Sequence, residues 1–432
     1  MFMARDLRVV QNRVQYSRTS KCPGKTLAVL LLTLFVSNSH ASALYVYETA
    51  NPTDTAFAGA GLAGRAQDAG TVFTNPAGMT RFNNNAMLAT AGGTFVRAPF
   101  DPDSNNTISG TDGSASGWVP YGTFAYINSI SDRLKLGVNV GNNFGLSLDW
   151  GTNWVGRYTA TQASLFAPQV QPTMAYKVND WLSVGAGAGL TLGYLNAKLR
   201  VNNKEPGKGD GKMELKDTDF AVQGNFGIML NPTPSTRIGI RYLTETKLDF
   251  EDNPDFSRMG PLIGDITDQI TKLDLGMRMP QSVMLGVFHD LSDRWAILGS
   301  LGWEEWSRFG HVDVTVDESP EVTGNLKYDN TYHVGIGAQY QYNPKWRYSA
   351  GISYDSALSS GKHRSAMIPM GEMTRVGGGF EYRKRSDLTL GAAMDVMWEG
   401  DLSLNQKSNG GTLSGEYENV FLAFFTVYAK WQ

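Results

Sequence analysis

Cysteine is almost missing from this chain: there is one, Cys22, in 432 residues. It falls in an N-terminal stretch that reads as a cleaved leader, so the mature chain can form no disulfide and must be closed by backbone pairing and packing. Long apolar runs are missing too. The run Thr26 to Val36 is well short of the roughly 20 residues a helix needs to cross a bilayer, and no other stretch comes near that length, which excludes a helical membrane protein. Neither charge dominates, with 38 basic against 41 acidic residues and a net charge of -3, so nucleic acid is not expected as a partner. Histidine is scarce at five. No His/Asp/Glu set has ligand spacing on one strand face, so no metal site and no cofactor are expected.

What is present is glycine, 48 residues of it, with 18 Tyr and 10 Trp and no Pro/Ser-rich linker that would divide the chain. Arg5, Arg8, Arg13, Arg18, Lys21 and Lys25 precede the run Thr26 to Val36, and Ala41-Ser42-Ala43 follows it. This pattern predicts a signal peptide over residues 1–43 and a mature start at Leu44. Beyond it, connections between strand-like segments alternate short and long. The short ones are Asn128 to Asp132, Asn179-Asp180, Asn231 to Ser235, Asp290 to Asp293, Asn343 to Lys345 and Arg383 to Asp387. The long ones, rich in Gly, Asp, Asn and Ser, are 100–120, 145–163, 202–216, 251–270, 310–328, 357–373 and 405–415. Tight periplasmic turns and longer outer loops are the asymmetry of an outer-membrane barrel. The rhythm predicts an all-β fold, a 14-stranded antiparallel transmembrane β-barrel over residues 86–432 with both termini in the periplasm of a Gram-negative bacterium.

The segments have two faces, as a wall between lipid and lumen requires. Trp346, Tyr348, Ala350, Ile352 and Tyr354 alternate with Arg347, Ser349, Gly351, Ser353 and Asp355. Tyr332, Val334, Ile336, Ala338 and Tyr340 alternate with His333, Gly335, Gly337 and Gln339. Trp181, Trp295, Trp346 and Tyr382 flank short turns, where an interfacial aromatic girdle belongs. The last segment differs, because Val420, Leu422 and Phe424 are apolar and so are Phe421, Ala423 and Phe425. One phase must turn apolar side chains inward, and Leu422 and Phe424 are expected in the lumen, where they suit a carrier of oily molecules better than a water-filled porin.

Residues 44–85 do not alternate and are rich in Gly and Ala, which suits a compact plug within the lumen. Here Gln67-Asp68-Ala69-Gly70-Thr71-Val72-Phe73-Thr74-Asn75-Pro76-Ala77-Gly78 resembles the hatch of FadL/TodX-type outer-membrane transporters, which carry long-chain fatty acids or aromatic hydrocarbons. Trp118-Val119-Pro120 before the second strand, Gly141-Asn142-Asn143-Phe144-Gly145 in the third and Thr244 to Phe250 in the seventh look like the same family, as do Met279-Pro280 and Trp306-Ser307-Arg308-Phe309. The resemblance implies a hatch over residues 44–85 with Asp68, Gly70, Asn75, Pro76, Ala77 and Gly78 at its centre. It also implies an inward kink at Gly141, Asn142, Asn143, Phe144 and Gly145 that opens the wall sideways. Gly within a strand marks a bulge or bend, which agrees with that placement; the end of a strand near the outer rim is the alternative.

The expected activity is passive uptake of a hydrophobic small molecule, captured at the outer face and released through a lateral opening. Phe256, Met259, Leu262, Ile263 and Ile266 in the loop 251–270 are the expected capture residues, with spacing suited to a short helix. Long-chain fatty acids lead as substrate and aromatic hydrocarbons follow, because the inward phase Leu195, Ala197, Leu199 and Val201 offers no base to a carboxylate. Outer-membrane lipid, lipopolysaccharide and the barrel-assembly machinery are the other expected partners. A general porin and an enzyme built on inward-facing His333 with nearby serines are weaker alternatives, so no catalytic residue is assigned. Asp210, Glu214, Asp217 and Asp219 read as a solvated charge run rather than a cation site.

Overall fold

Alternation of apolar and small or polar residues makes each segment stable only as a wall with lipid on one side and a filled lumen on the other. The computed structural model describes residues 45–432 apart from 206, 318, 320, 359–363, 367, 409 and 410. The expected signal peptide and the start at Leu44 lie outside the described residues. The wall has fourteen antiparallel strands: β1 (Ala86–Arg97), β2 (Gly117–Ser129), β3 (Leu134–Asp149), β4 (Gln162–Lys177), β5 (Leu182–Val201), β6 (Gly211–Thr233), β7 (Thr236–Leu243), β8 (Ser282–Asp290), β9 (Trp295–Glu304), β10 (Thr331–Gln341), β11 (Trp346–Asp355), β12 (Met373–Arg383), β13 (Leu388–Ser408) and β14 (Gly411–Trp431). Each pairs with the next, and β14 closes on β1 from Met87↔Trp431 to Arg97↔Phe421. Tyr332, Val334, Ile336, Tyr348, Ile352 and Tyr354 are exposed on the lipid face, while His333, Ser353 and Asp355 are buried inside. Trp295 meets Tyr340 at 4.5 Å and Trp346 meets Tyr382 at 4.8 Å beside the short turns.

Three loop expectations need correction. The stretch 405–415 is mostly strand, since β13 and β14 stay paired out to Ser408↔Gly411. There Leu402, Leu404 and Gln406 are buried while Asp401, Ser403, Asn405 and Lys407 face water, so polar composition concealed a period of two that continues beyond the bilayer. The loop 202–216 is likewise shorter, because β5 and β6 pair out to Val201↔Gly211. Trp118-Val119-Pro120 lies in β2 rather than before it. The residues Thr244 to Phe250 do not continue β7. The chain breaks after Leu243, and Thr246–Asp252 joins Leu273–Met279, His311–Val316 and Val322–Asn325 in a separate four-stranded sheet. Across that break Asp219 and Asp217 accept the amides of Asp249 and Glu251, each at 2.7 Å, so two members of the acidic run replace missing ladder bonds.

The N-terminal segment lies inside this wall and is buried almost throughout. It comprises the helix α1 (Tyr47–Ala50), a 3-10 turn at Pro52–Phe57, the helix α2 (Thr71–Thr74) and a 3-10 turn at Pro76–Arg81. Inward glycines of the wall accept its backbone directly. A β-carbon at Gly351 would collide with the Phe57 carbonyl, and one at Gly377 with the Thr55 carbonyl.

Candidate functional site: an interrupted seam in the wall

The ladder between β2 and β3 runs from Ser129↔Lys135 to Phe124↔Val140 and stops. Above that point β2 pairs only with β1, and β3 only with β4. On β3 the two residues Asn143 and Phe144 oppose the single Ala167 of β4, between the pairs Asn142↔Pro168 and Gly145↔Phe166. This is a bulge, and an extra residue bends its strand and changes which face later side chains take. Asn139 is buried before it, and Phe144 and Leu148 are buried after it, so the inward phase switches from odd to even numbers. β3 then continues to Asp149, which excludes a simple strand end. Pro120 lies on the unpaired stretch of β2, where a residue without an N–H is tolerated.

The bulge turns Phe144 fully inward, where its ring packs 5.2 Å from Tyr45, 5.9 Å from Phe309 and 6.2 Å from Trp306. The N-terminal segment spans both edges of the seam. Val46 N donates to Asn143 O at 3.1 Å, and Thr49 Oγ1 donates to Asn142 O at 2.6 Å on the β3 side. On the β2 side, Thr123 Oγ1 donates to Thr49 O at 2.7 Å. A cavity of about 370 Å³ sits at this point, lined by Val46, Val119, Pro120, Leu146, Phe166, Leu422 and Phe424 among others. Leu422 and Phe424 face inward and meet Asn142, Gly145 and Leu146, which flank the bulge, in one largely apolar hollow. Sequence reasoning named Val119 and Pro120 only within a family-like motif, not as site residues, and missed Phe166, since nothing in a linear sequence announces which strand edge is unpaired.

The residues of the Gly70 to Gly78 stretch hold the N-terminal segment together. Asp68 Oδ2 accepts from Arg65 Nη2 at 2.7 Å and Thr53 Oγ1 at 2.8 Å, while its Oδ1 accepts the Gly70 amide at 3.0 Å. Burial pushes the Asp68 carboxyl up, but the Arg65 guanidinium outweighs this and leaves it below its ordinary value. Asn75 caps the Pro76–Arg81 turn through Ala77 N and ties it to the wall, donating to Ile228 O at 3.0 Å. Side chains at Gly70 and Gly78 would strike Asn51 and Thr71. Arg65 was not anticipated; its position three residues before Asp68 was the available signal.

The expected capture residues are not one patch. Phe256 pairs in register with Met213 on a short strand and is half-buried. Met259 is half-buried as well, Ile263 lies half-buried on the helix Pro261–Thr267, and Ile266 is exposed on it. Leu262 belongs to the same helix. Met259 lines an outer cavity of about 460 Å³ with Arg200, Lys208 and Arg258, whose Asp210 is already held by Arg157 and Tyr158 at 2.7 Å each.

His333 sits between Asp355 (Nδ1 to Oδ1, 3.0 Å) and Ser300 (Nε2 to Oγ, 2.9 Å), the connectivity of a hydrolase triad. The surroundings argue for an anchor instead. All three are buried, Ser300 is covered by the Gly59 carbonyl, and Asp355 is shared with Arg375, which reaches Glu48 of α1 at 3.5 Å. Tyr47 stacks edge-on against the imidazole at 5.6 Å.

Comparison with known proteins fits this geometry. The family model described as outer membrane protein transport protein (OMPP1/FadL/TodX) matches residues 32–429. The chain belongs to this family. Outer membrane protein P1 of Haemophilus influenzae is 27% identical over 379 residues, covering 77% of this chain and 80% of that protein. The long-chain fatty acid transport protein of Escherichia coli K12 is 23% identical over 388 residues, covering 79% and 84%. Among solved structures, a Pseudomonas aeruginosa FadL homologue superposes with a TM-score of 0.74 at 18% identity over 91% of this chain and 98% of its own. The Ralstonia pickettii toluene transporter TbuX gives 0.65 at 18% over 88% and 97%. The chain is an outer-membrane transporter for hydrophobic molecules, in a family of transport channels.

Proposed function

We propose that this FadL/TodX-family barrel takes up long-chain fatty acids passively and releases them sideways into the bilayer through the seam between β2 and β3. The observation that carries the reading is the interrupted ladder at Phe124↔Val140 with an apolar cavity directly against it. A hydrophobic solute crosses a polar outer surface poorly, and continuous apolar contact stabilises it by roughly 0.8 kcal/mol per buried methylene. The N-terminal segment acts as the hatch, with the axial path blocked and the side path bordered by Val46 and Thr49. At the outer face, Arg200, Lys208 and Arg258 beside Met259 offer a carboxylate head its first cationic contact, with the apolar tail toward Met259 and Phe256. That arrangement favours fatty acids over neutral aromatics. The short outer loop between β5 and β6 and the apolar inward phase of β5 favour the second reading, aromatic hydrocarbons by the same route. His333 is assigned no catalytic role.

The test is uptake of labelled oleate and labelled toluene by a strain lacking its own carriers and expressing this protein or its Asn143 deletion. Removing Asn143 leaves one residue opposite Ala167, which makes the β3–β4 ladder regular and removes the bend. Oleate uptake should fall to the level of the empty strain while the amount of folded barrel stays constant. Undiminished uptake in the deletion variant would remove the lateral route, and uptake of toluene alone would transfer the substrate assignment to aromatics.

A further inference from the structure

The opposite end of the barrel carries a site of different chemistry. At the periplasmic mouth, beneath the hatch, a cavity of about 420 Å³ is lined by Arg81, Phe82, Arg237, Asp290, Arg347 and Gln432 among others. A smaller cavity shares Gln67, Arg347 and Gln432 with it and adds Lys345, Arg383, Lys430 and Glu381. Around the two, six basic side chains face two acidic side chains, in a chain whose net charge is -3. The charge is therefore concentrated at this mouth rather than inherited from composition.

Arg237 gives the cluster its direction. It is only 5% exposed, its guanidinium lies 3.8 Å over the Phe288 ring, and its Nε makes a long bond of 3.4 Å to Gly64 O. Its Nη2 has no hydrogen-bond partner among the described residues. The neighbouring cations are served otherwise: Glu381 pairs with Arg347 at 3.5 Å and with Lys430 at 2.5 Å. No ion pair to Arg237 is formed among the described residues within 4.0 Å. A buried cation with an unmet donor is costly, and the ring face offsets only part of that cost. Perturbed charges of this kind in a concave setting mark sites that receive a ligand.

We propose that the periplasmic mouth binds a small oxyanion, a carboxylate or a phosphate, on Arg237, with Arg81 and Arg347 completing its cationic wall. Arg81 ends the Pro76–Arg81 turn of the N-terminal segment and Arg237 belongs to β7, so an anion held between them ties that segment to the barrel. Phe82 gives the cavity one apolar flank on which an acyl chain can lie. The inference stands independently of the lateral route, because neither arginine touches the β2–β3 seam.

The test is equilibrium dialysis of the full-length mature barrel, in a nonionic detergent, against labelled inorganic phosphate, acetate and octanoate. Saturable binding that weakens at least tenfold in both Arg237→Gln and Arg81→Gln is the expected result. Arg81 is exposed at the mouth, so its variant keeps the test informative if Arg237→Gln fails to fold. Octanoate bound well above acetate and phosphate identifies an amphiphile as the source, and similar affinities for all three identify a free periplasmic anion. Absence of saturable binding for every probe, or binding that both variants leave unchanged, overturns the proposal.

Discussion

Replacing Arg65 with methionine isolates what keeps the N-terminal segment, the proposed hatch, folded. In the native chain its Nε donates to Asp54 Oδ1 at 2.6 Å and its Nη2 to Asp68 Oδ2 at 2.7 Å, and all three side chains are buried. Without the guanidinium, Asp54 keeps the Asn51 amide at 2.8 Å, and Asp68 keeps Thr53 at 2.8 Å and the Gly70 amide at 3.0 Å. These neutral donors do not compensate two buried negative charges. Removing one partner of a buried pair costs about 3–5 kcal/mol, or roughly two to three and a half powers of ten in the ratio of ordered to disordered N-terminal segment. Planar-bilayer recording reads this directly, because under the proposed hatch role a disordered N-terminal segment opens a path along the barrel axis. Arg65→Met should raise the open fraction by that factor, and adding Asp54→Asn with Asp68→Asn should recover most of the loss by removing the stranded charges. An open fraction equal to the native one, or a triple variant as open as the single one, would refute the reasoning. The pH dependence has a defined sign. Against the upward push of burial, the Arg65 guanidinium holds Asp68 below the ordinary carboxylate range, so its contribution is complete above that range and is lost as pH falls through the lowered value. Burial raises Asp54 against the pull of Arg65, so its protonation comes first and acts in the opposite direction. Native closure should therefore hold down to about pH 4 and fail only in stronger acid, through Asp68.

Three further outcomes follow from particular contacts. Phe144→Ala removes a fully buried ring from the Tyr45, Trp306 and Phe309 cluster; it should destabilise by about 3–5 kcal/mol, read as a lower midpoint of thermal unfolding, whereas Phe380→Ala on the lipid face should change little. Gly351→Leu places a side chain against the Phe57 carbonyl, an overpacking worth about 1–3 kcal/mol or more; limited proteolysis should cut residues 45–85 faster, with the barrel core still protected. Deleting Trp431 and Gln432 removes the pairs of Trp431 with Met87 and Leu388 at the closing seam, and should lower the amount of folded barrel reaching the outer membrane; unchanged abundance would count against an assembly signal read through Trp431.

The barrel was legible because its rule is local. A period of two, short polar turns and aromatic ends are each contained in a few consecutive residues, and together they suffice for the strand number. The errors came where local composition and pairing part company. Residues 402–408 alternate as a strand but carry loop-like Asn, Ser and Lys outward, because above the bilayer the outer face meets water. Thr244 to Phe250 also alternates, yet it leaves the barrel for a second sheet, and only its partner Leu273–Met279 tells the two apart. The site was half legible for the same reason. Gly141 to Gly145 announces a disturbance in β3, but the unpaired edge of β2, with Val119 and Pro120, is a relation between strands. The Arg65 pairs fold back within the N-terminal segment, and the Arg237 cavity depends on contacts between that segment and distant parts of the chain; periodicity encodes neither.

An open seam and a folded plug occurring in one chain have a common physical reason. A strand edge within a membrane leaves amides and carbonyls that lipid cannot satisfy, and each one costs several kcal/mol. The wall meets this demand differently at its two breaks. Where β6 parts from Thr246–Asp252, side-chain carboxylates of Asp217 and Asp219 take the amides of the next strand, which closes that break with polar bridges suited to water. At the β2–β3 seam the groups come from the N-terminal segment: Val46 N and Thr49 Oγ1 serve the carbonyls of Asn143 and Asn142, while Thr49 O takes the Thr123 hydroxyl. The first solution leaves charge in the break and would repel an oily solute; the second leaves Val46, Val119, Leu146 and Phe166 facing the hollow. Of these two breaks, the seam braced by the N-terminal segment combines satisfied backbone with an apolar border, and on that ground the proposed lateral path is assigned there and not to the other break.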